Sequence, residues 1–221
     1  MASSGIKIEF SLPLTAQENM DEDSRRLFAL SQGDLPHLRF LAWKRPSLTY
    51  GYFVKPEEWL HLDRLSEAGW DIGRRPTGGG ILFHTHDVAF SLLIPKGHPF
   101  LFKSTLENYH FIHQIVQRAL RVSSSLTACF EKGSMFCMAK PTVYDVVVEG
   151  KKVVGAAERR VREGLLHQGT VACEPANVPL LSRFLKDPEI VTQIEQTTYP
   201  LNLPYSVLRE RLTSSFQLAF T

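Results

Sequence analysis

Between Arg74 and His84 the chain reads RRPTGGGILFH, and three consecutive glycines suit neither a helix interior nor a regular strand. Glycine loses more conformational freedom on folding than any other residue. A run of three therefore marks a loop that needs positive φ or a close backbone approach to a ligand. The spacing is not that of a GxxxxGK[ST] phosphate loop, nor of a GxGxxG turn between a parallel strand and a helix. Arg74 and Arg75, just ahead of the loop, suit a carboxylate or a phosphate. The plainer reading of Gly78, Gly79 and Gly80 is a flexible hairpin turn with two solvated arginines.

The flanking segments predict a mixture of helices and hairpin-linked strands. Thr15-Ala16-Gln17-Glu18 has capping-box spacing and opens a helix to about Leu30. His37–Trp43 and Leu48–Phe53 read as strands with Arg45-Pro46-Ser47 turning the chain between them. Pro56-Glu57-Glu58 suits the first turn of a helix that carries Trp59, Leu60, Leu62 and Leu65 on one stripe and stops at Gly69. Ile81–Phe83 and Val88–Ile94 read as paired strands, and Ser104-Thr105-Leu106-Glu107 is a second capping box. Val143–Val148 and Lys152–Ala157 form a hairpin about Glu149-Gly150, Leu165–Cys173 adds a strand, and short helices follow Asp187-Pro188 and start near Ser206. Strands without regular βαβ alternation predict an α+β fold, a mainly antiparallel sheet with flanking helices. The 221 residues are expected to form a single domain, 1–221, without a C-terminal accessory domain.

Twenty-five Lys and Arg against 23 Asp and Glu leave a net charge of +2, so neither nucleic acid nor an anionic membrane is demanded as partner. No apolar run approaches the roughly 20 residues of a membrane helix. Three cysteines, Cys129, Cys137 and Cys173, without CxxC spacing fit a reducing compartment, and a cytoplasmic monomer is expected. Cys137, between Phe136 and Met138, reads either as an inert buried thiol or as a nucleophile with nearby lysines to lower its pKa. Lys152 enters the stretch Val153-Val154-Gly155-Ala156-Ala157, whose small residues leave room for a ligand beside it. The alternative is a surface pair with Lys151. His84 and His86 share a strand face, but no further ligands complete a metal site, and none is expected. His167, in LLHQGTV, is as readily a core histidine as a catalytic one.

In these segments the chain resembles the lipoate–protein ligase A family, including its octanoyltransferase branch. RRPTGGGILFH is similar to the family's RRxxGGGxxxH loop, and GKKVVGAAERR, Gly150–Arg160, to its GxKxxGxAxR strand, which puts Lys152 on the family's lysine. LLHQGTV resembles the strand usually read HHGT or QHGS, with His167-Gln168 departing from it, and the likeness extends upstream through Leu38–Phe53. Where many members read HD after the loop, this chain has His84-Thr85, with Asp87 two residues on. CMAKPTVYDVVVEGKK, Cys137–Lys152, resembles the cysteine-dependent transferases' CFxxPSxYELxVEGxK, whereas Gly80 is more like the ligases.

The resemblance implies the biotin/lipoate ligase catalytic fold and an enzyme that attaches an octanoyl or lipoyl group to the acceptor lysine of lipoyl domains or the glycine-cleavage carrier. Cys137 and Lys152 would be catalytic; Arg74, Arg75, Gly78, Gly79, Gly80, His84, Gly155, Ala156, His167 and Gly169 would bind substrate. The leading expectation is cysteine-dependent transfer from a thioester, with acyl carrier protein as a further partner and no tightly bound cofactor. The alternatives are an ATP- and Mg²⁺-dependent ligase acting through lipoyl-AMP, and an inactive homologue that binds acyl groups or carriers.

Overall fold

A computed structural model describes residues 5–85, 87–121, 125–126 (backbone only) and 145–221. Its strands are β1 (Lys7–Phe10), β2 (His37–Phe40), β3 (Ser47–Tyr50), β4 (Asp71–Arg74), β5 (Ile81–His84), β6 (Asp87–Pro95), β7 (Ser125–Leu126), β8 (Val146–Val148), β9 (Lys151–Arg160) and β10 (Gly164–Ala172). Helices are α1 (Ala16–Ala29), α2 (Leu62–Glu67), α3 (Thr105–Leu120), α4 (Val178–Phe184), α5 (Pro188–Thr197) and α6 (Tyr205–Ala219). Seven strands form one sheet in the order β1-β2-β6-β10-β9-β8-β7, and three form a second, β4-β3-β5. Antiparallel pairs dominate, and β1–β2 and β3–β4 run parallel. The α+β expectation holds.

Both capping boxes close as their sequences require. Thr15 Oγ1 accepts from the Glu18 amide while Glu18 accepts from the Thr15 amide, and Ser104 and Glu107 do the same at α3. The α3 residues Ile112, Ile115, Val116 and Ala119 pack with Leu208, Leu212 and Phe216 of α6 over Phe90, Leu92, Val154 and Leu165 of the large sheet. On that sheet's other face, Leu27 of α1 meets Leu93 and Leu166. The small sheet buries Leu48 and Ile81 against Leu65, Leu181, Phe184 and Ile190 from α2, α4 and α5.

Two expected hairpins do not form. After β2 the chain does not turn back at Arg45-Pro46: Trp43 bridges Leu14 and the Lys44 amide donates to Leu14 O, which carries it away to the second sheet. The β5 and β6 strands are likewise neighbours in sequence only. Both flanks of β6 are taken by β2 and β10, so β5 pairs with β3, and the chain crosses between sheets after His84. The expected helix from Pro56 to Gly69 is split into a 3₁₀ turn at Pro56–Glu58 and α2, because Leu60 leaves the stripe to bridge Leu185. The last helix, α6, is 15 residues long rather than short, and α4 and strands β1 and β4 were not anticipated.

Candidate active site

The glycine loop joins β4 to β5 and is folded around Arg75. That buried guanidinium donates from Nη2 to Gly80 O at 2.6 Å and Gly78 O at 3.2 Å, and from Nη1 to Thr49 Oγ1 at 2.8 Å. Positive φ falls on Gly79 alone among the three glycines, at +83°. The arginine pair therefore divides. Arg75 organises the loop by taking its carbonyls, whereas Arg74 is exposed, with its guanidinium 4.8 Å from the centre of the Tyr52 ring. Gly51, absent from the expected site, is what lets β3 approach. Its amide donates to Gly80 O at 3.0 Å, and a Cβ there would stand 1.9 Å from Gly79 O.

From Arg75 a polar chain runs across both sheets. Thr49 Oγ1, which accepts from Arg75, lies 2.8 Å from His84 Nε2, and His84 Nδ1 lies 2.8 Å from Asp87 Oδ2. Thr170 on β10 donates to the same Asp87 oxygen. With the carboxylate able only to accept, His84 donates from Nδ1 to Asp87, and Nε2 faces the Thr49 hydroxyl. Trp43 stacks on the ring at 4.3 Å between centroids. Asp87, displaced along the sequence from the usual HD position, thus reaches His84 by the bend between β5 and β6.

A second chain starts from the loop itself. Thr77 Oγ1 donates to Gln168 Oε1 at 2.7 Å, and Gln168 Nε2 donates to Asp23 Oδ2 at 2.8 Å. Asp23 is fully buried and also accepts from Arg39 Nη1 at 2.5 Å and Ser91 Oγ at 2.8 Å. Burial pushes its carboxyl upward, against the pull of the Arg39 guanidinium.

Between these chains lies a small cavity of about 30 Å³, walled by Met20, Leu41, Ala89 and Phe90, by Gly155, Ala156 and Ala157 of β9, and by Gln168, Gly169 and Thr170 of β10. Gly169 keeps the wall thin: a Cβ there would lie 2.4 Å from Phe90 Cζ. An adjoining space of about 70 Å³, bounded by Asp87, Glu174 and Thr198, shares Leu82 and Thr170 with the first.

Of the expected site residues, Arg75, His84, Gly155, Ala156 and Gly169 meet at this cavity, and Gly78 and Gly80 are tied to it through Arg75. Lys152 lies at the start of β9, buried, with Nζ 2.8 Å from Asp145 Oδ2; Lys151 beside it is exposed. Arg74 is outside the cavity, and Cys137, like Cys129 and His86, lies outside the described residues. Among the described residues no group of three His, Cys, Asp or Glu is placed to hold a metal ion, and no helix is long and apolar enough to cross a membrane.

His167 is not at the cavity. It faces the α3 side of the sheet, wholly buried, with Nδ1 2.9 Å from Glu158 Oε1 and Nε2 without a partner among the described residues. Burial drives the imidazole down to about 3 and the Glu158 carboxyl up to about 8, so both are neutral at pH 7. The residue that occupies the cavity is its neighbour Gln168. The period of two along a strand separates the two side chains, but every residue of β10 is buried, so polarity could not assign the faces.

The family described as the lipoyl protein ligase A/B catalytic domain matches residues 15–217. The octanoyltransferase LipM of Kyrpidia tusciae is 30% identical over 215 residues, spanning 92% of this chain and 72% of the relative. That of Geobacillus kaustophilus is 32% identical over 180 residues, spanning 75% of this chain and 64% of the relative. The chain thus covers about two thirds of the length of these relatives. A lipoate-protein ligase A structure bound with ATP matches with a TM-score of 0.79 at 21% identity, over 96% of this chain and 85% of the other. A structure described as a bi-partite lipoate protein ligase and its E2 lipoyl domain from Thermoplasma acidophilum matches at 0.75 and 22% identity, over 97% and 84%. At such identities these two matches speak for the fold.

Proposed function

From the premise that the chain belongs to the lipoyl protein ligase A/B catalytic domain family, we propose that it attaches an octanoyl group to the acceptor lysine of a lipoyl domain by cysteine-dependent transfer from a thioester. The observation that carries this reading is the cavity itself, apolar along Met20, Leu41, Ala89 and Phe90 and polar where Arg75, Thr49 and His84 meet. A saturated chain suits the first part, and a carbonyl suits the second. In the reaction, the Cys137 thiolate attacks the thioester carbonyl and the donor thiolate leaves. The acceptor amine then attacks the Cys137 thioester, gives up a proton and forms the amide as the Cys137 thiolate departs. Lys152, its ammonium held by Asp145 in a buried pair, is the cation for the developing oxyanion.

The second reading, ATP-dependent ligation through lipoyl-AMP, rests on Gly80, the ligase-like third glycine whose carbonyl receives both Arg75 and Gly51. Intact-mass analysis separates the two. Wild type given an octanoyl thioester without acceptor gains one octanoyl group at Cys137, and Cys137→Ala gains none and fails to load lipoyl domains. A Cys137→Ala protein that loads them only with lipoate and ATP overturns the covalent scheme. Loading by neither route leaves the binding homologue.

A further inference from the structure

Beside the glycine loop lies an exposed patch in which two arginines flank one tyrosine. Arg74 at the end of β4 and Arg159 near the end of β9 set their guanidiniums 4.8 and 5.8 Å from the centre of the Tyr52 ring. Arg159 also lies 5.4 Å from the Phe28 ring of α1. Tyr52 is 43% exposed, Phe28 51% and Phe53 86%, the last packed edge-on against Tyr52 at 5.1 Å. Several other arginines do meet acids: Arg25 pairs with Glu22, Arg26 with Glu9 and Glu22, and Arg39 with Asp23 and Glu9. Arg74 and Arg159 have no carboxylate within ion-pairing distance among the described residues. Asp21, which borders the patch through Gln17, accepts from the Gln17 amide instead. The patch is fastened to the loop, because the Tyr52 amide donates to Thr77 O at 2.9 Å and Arg159 Nη1 to Pro76 O at 3.3 Å.

Exposed aromatics beside unpaired arginines are the composition of an interface centre rather than of a solvated surface. We propose that Phe28, Tyr52, Phe53, Arg74 and Arg159 form the docking surface for the acceptor domain, a folded protein that carries carboxylates around its target lysine. The proposal rests on the transfer reading above, and its electrostatics follow from it. A lysine brought to a site ringed by Arg74 and Arg159 is repelled unless acidic neighbours come with it, and those neighbours then find the two unpaired guanidiniums. Phe53, the most exposed of the three rings, supplies the apolar contact.

The test separates docking from chemistry. Phe53→Ser and Arg159→Glu are compared with wild type in acceptor KM, in kcat, and in the rate of octanoyl loading without acceptor. Binding to an acceptor domain whose target lysine is replaced by arginine is measured in parallel, together with each variant's thermal midpoint. The expected result is an acceptor KM and Kd raised at least about tenfold in each variant, with unchanged self-loading in Phe53→Ser, which lies outside the loop's contacts. The wild-type Kd should weaken as salt rises, and this dependence should flatten in Arg159→Glu. Unchanged acceptor Kd in both variants overturns the proposal, and a defect confined to the thioester donor's KM reassigns the surface to the donor. Because the binding measurement needs no turnover, failure of wild type to transfer octanoyl overturns the functional reading alone.

Discussion

The two faces of β10 treat buried polar groups in opposite ways. Toward α1 and the small sheet, Gln168 and Thr170 enter chains in which a donor meets an acceptor from Thr77 through to Arg39 and from Arg75 through to Thr170. Toward α3, His167 and Glu158 have only each other. His167 Nε2, Glu158 Oε2 and both nitrogens of His113, whose ring packs 5.5 Å from that of His167, have no partner among the described residues. A network satisfied except at Arg39 Nε fixes geometry and can hold charge; an isolated pair in apolar surroundings is driven to neutrality. The first face is thus the one suited to position a ligand. The second stores a titration inside the core.

The sharpest way to break this contrast is at Asp23. Removing its carboxylate leaves the buried Arg39 guanidinium with only Asn19 Oδ1 at 2.9 Å and the more exposed Glu9 carboxylate at 3.4 Å, so Asp23→Ala should lower stability by about 3 kcal/mol, read as a fall in urea midpoint. Asp23→Leu combined with Arg39→Met should recover most of that loss, since no charge is then left unpaired. A loss below about 1 kcal/mol for Asp23→Ala would show that the two faces do not differ as described.

A middle-sized effect is expected on the other face, and pH reveals it. Glu158 holds its proton up to about pH 8 in the folded chain against an ordinary 4.5, so its contribution to stability falls as pH rises between these values. His167, at about 3 when folded against 6.5 ordinarily, acts in the opposite sense and is spent by pH 6.5. His113, pushed down by burial and by His167, works in the direction of His167. Between pH 6.5 and 8, where the lowered histidines no longer act, Glu158 contributes a loss of about 2 kcal/mol that Glu158→Gln should abolish. Thermal midpoints of the two proteins that fall in parallel over this window would count against a neutral Glu158.

The smallest expected effect lies within the satisfied network. Thr170→Val removes one donor from Asp87, which still accepts from His84, and should cost about 1 kcal/mol in urea unfolding. A cost matching that of Asp23→Ala would mean that the two chains act as one unit.

Local signals made much of this molecule legible. Thr15 and Ser104 announce their helices because a capping box is complete within four residues, and the glycine run announces its loop. The partnership of strands was not legible: Ile81–His84 and Asp87–Pro95 have the spacing of a hairpin, yet which sheet each joins depends on β3 and β10, far away in the chain. The same distance hid Gly51, whose reason for being glycine is a carbonyl 28 residues downstream, at Gly79. It also hid Asp23 and Arg39, two ordinary charges on an amphipathic helix and a strand until the fold sets them against each other, with Gln168 on Asp23.

The insertion of β10 between β6 and β9 also bears on how the molecule is made. The strand pairing of the small sheet lies within Ser47 to His84, so the hydrogen bonds of the glycine loop are local, although the sheet's core also draws on α4 and α5. The cavity, by contrast, waits for Ala172 to meet Asp87 and Gly164 to meet Pro95, contacts that close long loops and form late. The pairings that carry the loop are thus shorter in range than those that build the cavity. Acyl binding is accordingly a reporter of completed folding, and one that secondary-structure spectroscopy would anticipate rather than coincide with.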